Sequence, residues 1–498
     1  RVASRGLGDV YKRQPIDKEK GTTLVEFSSP NTNKPLHLGH IRNNLLGDSI
    51  TRILKANGYK TIKTQIINDR GIHICKSMVS WLKFAKGSTP KDTGIKPDKF
   101  VGNYYVLFEK EHQKQIKILI DKGYKKVNAE RKAPIFLEAK EMLQKWESGD
   151  KKTIKLWTKM NSWVYEGFDK TYKSLGIQFD KNYYESITYL KGKKIVEKGM
   201  SQGIFYKKED SSICIDLTEN GLDEKVLIRS DGTSVYMTQD IGTAMQRFED
   251  FSEIKGMIYT VGNEQEYHFK TLFLILKKLR IKWANMLHHL SYGMVDLPDG
   301  KMKSREGNVV DADDLMSKMK TTAKEISSKL GKLEGYSISE KNDLYEKISL
   351  GALKYYILKV DPRKTILFDP EKSIDFNGNT GPFIQYTYAR IHSILKSNNI
   401  DLDSQMPEKL DTKETLIIKQ LILYPEIVEQ SLKSFSPAII SNYIYELVKR
   451  FNSFYQNVTI LGSECVITKN FRLMLLKNVA KNLNNSCSLL GMRLPQRM

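Results

Sequence analysis

Residues Phe27–Asp48 read FSSPNTNKPLHLGHIRNNLLGD, and the way this stretch changes character decides the fold. Just upstream, Thr23-Leu-Val-Glu-Phe27 is an apolar run of strand length. Ser28-Ser29-Pro30-Asn31 ends it, because proline and small polar residues break strand pairing. Downstream, Ile41, Leu45, Leu46, Ile50, Ile53 and Leu54 recur at helical spacing. Two histidines, His37 and His40, therefore fall where a strand hands over to a helix. In an α/β sheet that is the carboxyl edge, where such folds hold their ligands. The free N–H groups and positive dipole end of the new helix suit a phosphate. Gly39 has no side chain, so a flat base or ribose fits against the backbone there.

A single histidine near a helix start is more often a cap or a surface group. The Ser-Pro-Asn turn, Lys34 and the strand–helix setting turn the reading towards function. Ser29-Pro-Asn-Thr-Asn-Lys-Pro-Leu-His-Leu-Gly-His40 resembles the HIGH region of class I aminoacyl-tRNA synthetases, in the form used by arginyl-tRNA synthetases. The resemblance implies catalytic roles for His37 and His40 on the ATP triphosphate. It puts Pro30, Leu38 and Gly39 at ATP, and Ser29 and Asn31 at the backbone of the amino acid.

Composition agrees with a large nucleic-acid-binding enzyme. A chain of 498 residues is expected to hold two or three domains. Its formal net charge of +22 favours a polyanionic partner. The 4 cysteines, Cys75, Cys214, Cys465 and Cys487, are too scattered for a zinc site, so no protein-bound zinc is expected and a reducing cytoplasm fits. No apolar run is long enough to cross a bilayer. Arg1–Gln14 matches nothing that follows, so residues 1–20 read as a leader, non-native or a remnant. The family carries a separate amino-terminal domain before the HIGH region, so the chain reads as a shortened member.

Further motifs appear in the family's order. Lys60–Ile67 alternates as a second strand and ends at Asn68-Asp69-Arg70-Gly71, an Asp-x-Gly turn that is either a plain turn or ligand-facing. Residues of about 87–175 read as a helical insertion, and Ile177–Ser186 opens a second α/β half. There the resemblance makes Glu185 the partner of a substrate guanidinium, a role that needs a carboxylate because a planar fork pairs with one. Tyr236 and Asp240 are four apart and share a helix face once the helix has begun. They match the family's Tyr-x-x-x-Asp pair for arginine, with a helix cap as the plainer reading of Asp240. Gln265 and His268 match Gln-x-x-His, the first implied near the amino acid and the second near the adenosine.

Pro298–Asn308, PDGKMKSREGN, corresponds to the KMSKS loop. The resemblance gives Lys301 and Lys303 to the departing pyrophosphate, with Met302 and Ser304 at ATP. Ser304 stands where the second lysine of the motif belongs, and Lys34 is the candidate to supply that charge. From Phe383 onward the chain is helical and amphipathic, resembling the family's anticodon-binding domain. Tyr386, Tyr388 and Arg390 are its candidate tRNA contacts, since aromatic rings stack on unpaired bases. The closing Leu490–Met498 matches the family's usual end.

The expected architecture is an α/β Rossmann-like class I catalytic domain over 21–372 with a helical insertion, then an all-α anticodon-binding domain over 373–498. The implied activity is arginine–tRNA ligation, with ATP as substrate, magnesium accompanying it, and tRNA(Arg) and L-arginine as partners of a monomer with no membrane association. A non-catalytic basic RNA-binding protein on the same scaffold is the alternative, and a class I enzyme for another amino acid is a third reading.

Overall fold

The computed structural model describes residues 20–298, 310–329, 334–398 and 406–498. Five parallel strands form the central sheet: β1 (Thr22–Glu26), β2 (Lys60–Ile67), β3 (Lys181–Tyr184), β4 (Ile254–Gly262) and β5 (Leu287–Tyr292). Their order is β3-β2-β1-β4-β5. That is a doubly wound order, and it places a topological switch point between β1 and β4. β1 is buried along its whole length, as expected of a strand covered on both faces.

Helix α1 (Leu38–Ala56) follows β1. It is buried on almost every side, so it runs through the molecule and not over it. It lies close to β1 because Gly47 leaves room for the ring of Phe27, which a side chain there would strike. The insertion between β2 and β3 is helical: α2 (Ile72–Phe84), α3 (Pro97–Asp121), α4 (Pro134–Glu147) and α5 (Lys151–Leu175) are its main elements. Proline opens α3 and α4, a position where its missing N–H costs nothing. Asp150 caps α5, accepting from the Thr153 N–H at 3.0 Å. After β3 come α6 (Glu185–Ser201), a three-stranded antiparallel sheet, and α7 (Tyr236–Asp250). Helix α8 (Glu266–Lys278) links β4 to β5.

Beyond β5 the described chain is mainly helical, apart from a short parallel pair of Val295–Asp296 with Ile366–Leu367: α9 (Ala312–Lys329), α10 (Ile338–Leu358), α11 (Gly381–Lys396), α12 (Thr412–Ile422), α13 (Tyr424–Lys433), α14 (Pro437–Asn457) and α15 (Val466–Leu489). One hydrophobic core joins Val25 and Leu45 near the sheet to Ile444 and Leu475 in the carboxyl-terminal helices. The far half of α1 is stitched to those helices. Ser49 Oγ donates to the Leu489 carbonyl at 2.8 Å, and Asn57 Nδ2 to the Val428 carbonyl at 3.2 Å.

Candidate active site

A cleft of about 380 Å³ opens at the carboxyl ends of β1 and β4, where the strand order reverses. Its lining includes Ser28, Ser29, His37, Gly39, His40 and Glu264. The chain leaves β1 under strain: Ser28 and Ser29 have φ values of 73° and 48°, left-handed backbone that non-glycine residues rarely adopt. Such strain persists only where the surroundings hold it, and it gathers at functional sites. Here Ser29 Oγ donates to Glu26 Oε1 at 3.1 Å and accepts from the Ile66 N–H at 3.3 Å. Ser28 Oγ meets the Tyr172 hydroxyl at 2.7 Å. Pro30 is buried, and its carbonyl accepts from the Asn68 N–H at 2.9 Å. Asn31 is exposed and bridges to Asn68.

The two histidines cap α1 reciprocally. His37 Nδ1 accepts from the Gly39 N–H, and His40 Nδ1 accepts from the His37 N–H, each at 3.1 Å. A ring nitrogen that accepts carries no proton, so each neutral ring keeps its proton on Nε2. The cap therefore fixes one tautomer and presents an N–H donor from each ring. Burial, then the nearby Lys34 ammonium, pushes His37 down to about 3. Burial, then His37 and Lys34, holds His40 well below the ordinary imidazole range. Both rings are thus neutral donors at physiological pH. Lys34 is half-buried, its own pKa lowered by burial, and it has no ion-pair partner among the described residues.

One assignment changes here. Leu38 was expected at ATP, but its side chain is fully buried in the core and its N–H is bonded to the Val310 carbonyl at 3.1 Å. Gly39 has a second reason to be glycine: a side chain would press within 3.0 Å of the His37 ring.

Lys301, Met302, Lys303 and Ser304 lie outside the described residues. The residues flanking their loop are placed, and both flanks lie at the cleft. Val295 and Asp296 line it, and Ala312 N–H donates to the Leu36 carbonyl at 2.9 Å beside His37.

A second group of side chains comes from α6, α7 and α8. Glu185, the first residue of α6, is 7% exposed, and burial pushes its carboxyl up to about 7 despite the opposing pull of Arg70. No hydrogen-bond donor reaches it among the described residues. Tyr236 opens α7 and is 68% exposed, and Asp240 follows one turn on, where the two share a face. His268 Nε2 contacts Asp240 Oδ2 at 2.5 Å. His268, expected near the adenosine, thus sits with Asp240 and does not line the β1–β4 cleft. Gln265 is exposed on the short turn after β4.

Three supporting residues stand behind these groups: Asp69 in the Asp-x-Gly turn, and Arg42 and Asn43, which no motif signalled. Asp69 is buried and takes the Ser186 N–H at 2.9 Å, the Ser186 hydroxyl at 2.7 Å and the Tyr165 hydroxyl at 3.1 Å, which settles its turn as a clamp for the start of α6. Arg42, 1% exposed, donates to the carbonyls of Met294, Pro362 and Lys364 at 2.7, 2.8 and 2.6 Å. Asn43 joins the cleft lining. Their one sequence signal is a polar run, Arg42-Asn43-Asn44, in the middle of a helix otherwise built for burial.

In the carboxyl-terminal helices Tyr386 is half-buried and lies 5.0 Å from the Arg390 guanidinium, which also faces Tyr455 at 4.9 Å. Tyr388 is a correction: it is 8% exposed and belongs to the core, so it is not placed to stack on a base.

A doubly wound sheet with a histidine-capped helix at its switch point and a helical carboxyl-terminal bundle defines a class I aminoacyl-tRNA synthetase. The family of class I tRNA synthetase (R) catalytic domains matches residues 6–369, and the DALR anticodon binding domain matches residues 384–498. The arginine–tRNA ligase of Flavobacterium psychrophilum is 59% identical over 484 residues, covering 97% of this chain and 80% of that protein. That of Parabacteroides distasonis is 54% identical over 489 residues, covering 97% and 82%. The solved arginyl-tRNA synthetase of Thermus thermophilus shares the fold, with a TM-score of 0.84 at 22% identity, covering 100% of this chain and 86% of that one. The chain belongs to the arginyl-tRNA synthetase family.

Proposed function

We infer that the protein is an arginine–tRNA ligase whose adenylation centre is the cleft between β1 and β4. The observation that carries the choice of arginine is Glu185, a buried carboxylate without a donor among the described residues. A guanidinium satisfies it with two parallel charge-assisted bonds, which a lysine ammonium lacks the planar fork to make. Tyr236 and Asp240 complete the arginine site, Ser29 and Asn31 hold the amino acid backbone, and Gln265 borders it.

In the first step an oxygen of the arginine carboxylate attacks the α-phosphorus of ATP. The bond to the bridging oxygen breaks, pyrophosphate leaves, and arginyl-adenylate remains. The chemistry is chiefly alignment and charge stabilisation. His37 and His40 donate Nε2–H bonds to the triphosphate as its geometry changes. Lys301 and Lys303 meet the departing pyrophosphate, and Lys34 adds the charge that Ser304 does not. Magnesium arrives on the nucleotide's phosphates. In the second step the 2′-oxygen of the terminal tRNA adenosine attacks the arginyl carbonyl carbon, its proton is lost, and AMP leaves. The carboxyl-terminal helices hold the anticodon arm, with Tyr386 and Arg390 on their surface. Residues 21–372 act as the catalytic part and 373–498 as the anticodon-binding part of a cytoplasmic monomer.

Amino-acid-dependent exchange of pyrophosphate into ATP tests this, run with arginine, lysine, cysteine and glutamate, with and without tRNA. Exchange with arginine alone, dependent on tRNA, is expected. Exchange with another amino acid overturns the arginine assignment, and none at all returns the chain to the role of a basic RNA-binding protein.

A further inference from the structure

We infer that Asn43 is a positioning residue for adenylate formation, one amide that sets the width of the cleft at the switch point. This rests on the ligase reading above. Asn43 is 7% exposed and follows His40 by one turn of α1. Its Oδ1 accepts the N–H of Ser28, the first of the two left-handed residues at the end of β1. Its Nδ2 donates to the Thr260 carbonyl on β4 at 2.7 Å and to the Tyr292 hydroxyl on β5 at 3.0 Å. Ser28, Asn43, Thr260 and Tyr292 all line the same cleft.

Crossovers on the two sides of a switch point run to opposite faces of the sheet, so nothing along the chain ties the ends of β1 and β4 together there. Asn43 is such a tie. Both of its N–H groups are in use, so no donor remains for a substrate, and its action is through the groups it holds. It fixes the strained Ser28–Ser29 backbone against the end of β4, and it does so from the helix whose first turn carries both histidines. A displacement of about 1 Å between reacting groups costs about a hundredfold in rate.

Asn43→Asp separates positioning from stability. The variant keeps an acceptor for Ser28 but turns a second carboxylate oxygen towards the Thr260 carbonyl. Protonation returns a donor to that place. The titratable groups that line the cleft with it are His37, His40, Glu264, Tyr292 and Asp296, with the Arg42 guanidinium beside the Tyr292 ring. All are present in the wild type, whose profile is the control.

The measurement is kcat for arginine-dependent pyrophosphate exchange at saturating substrates and tRNA, on the full chain, from pH 6 to pH 8. The variant is expected to fall about a hundredfold at pH 8 and to regain at least about tenfold, relative to wild type, by pH 6. KM for ATP should stay within about threefold, because no substrate contact is removed. A variant profile parallel to the wild type, or a loss confined to KM or to thermal stability, overturns the inference. If Asn43→Asp does not fold, Tyr292→Phe carries the test. It removes one of the three bonds and is expected to lower kcat about threefold with KM unchanged. An unchanged kcat overturns the inference. Absence of arginine-dependent exchange in the wild type refutes the ligase reading instead.

Discussion

The β1–α1 wall of the cleft and the α6–α7 wall that carries the proposed arginine site are built on opposite electrostatic plans. On the β1–α1 wall each histidine ring spends one nitrogen on the backbone and offers the other as a neutral donor. On the α6–α7 wall a buried carboxylate stands without a hydrogen-bond donor among the described residues, with a second carboxylate a short way off. On the proposed reading the difference answers to the ligands. A triphosphate bound at the first wall asks the histidines only for direct hydrogen bonds. A guanidinium is recognised by a full negative charge kept from water, where an uncompensated partner costs most.

The largest expected effect removes the charge from the second wall. Breaking a buried ion pair costs about 3–5 kcal/mol, so Glu185→Gln should lower kcat/KM for arginine by about three orders of magnitude. KM for ATP should barely move. Comparable losses for both substrates would erase the distinction between the walls.

On the first wall, His40→Ala removes one donor and should lower kcat about a hundredfold. Since both rings are neutral, the wild-type rate should show no inflection near pH 6.5 that the variant lacks. The same depressed pKa values bear on stability. A histidine that resists protonation when folded favours the folded state above its unfolded pKa, so His37 withdraws stability as pH falls from about 6.5 towards 3.

Glu185 has the opposite sense. Its folded pKa of about 7 exceeds the ordinary 4.5, so its contribution is fully present below pH 4.5 and is lost as pH rises through 7. Arginine binds the ionised form. KM for arginine should therefore be about tenfold higher at pH 6 than at pH 8, and Glu185→Gln should abolish that slope. Arg42→Met leaves three carbonyls without a guanidinium and should cost about 3 kcal/mol of stability, read by denaturant unfolding. The smallest effect is on the carboxyl-terminal helices. Tyr386→Ala should raise KM for tRNA about tenfold, the scale of one base stacked on one ring. Tyr388→Phe should leave it unchanged.

The strand, turn and helix around the histidines were legible because each has its own signal: an apolar run, a proline turn and a 3.6-residue period. The Tyr236–Asp240 spacing is a local signal too, whereas Glu185 was singled out only by the family resemblance. The contact of His268 with Asp240 was not, since the two lie on different helices and only the packing of α8 on α7 joins them. The burial of Tyr388 depends on which face of α11 meets the core, and an amphipathic pattern with aromatic residues on both faces leaves that open. Arg42 and Asn43 were hidden because their partners are mostly backbone groups distant in sequence. The single core running from the sheet into the carboxyl-terminal helices was equally invisible in a sequence divided at 372–373.

Calorimetric titration of arginine, with tRNA present, into the wild type and Glu185→Gln at pH 8 is the most direct test of the carboxylate wall. ATP titrated into the same two proteins is the control for the other. The expected result is arginine binding lost in the variant with ATP binding intact. Arginine bound equally by both proteins would contradict the account.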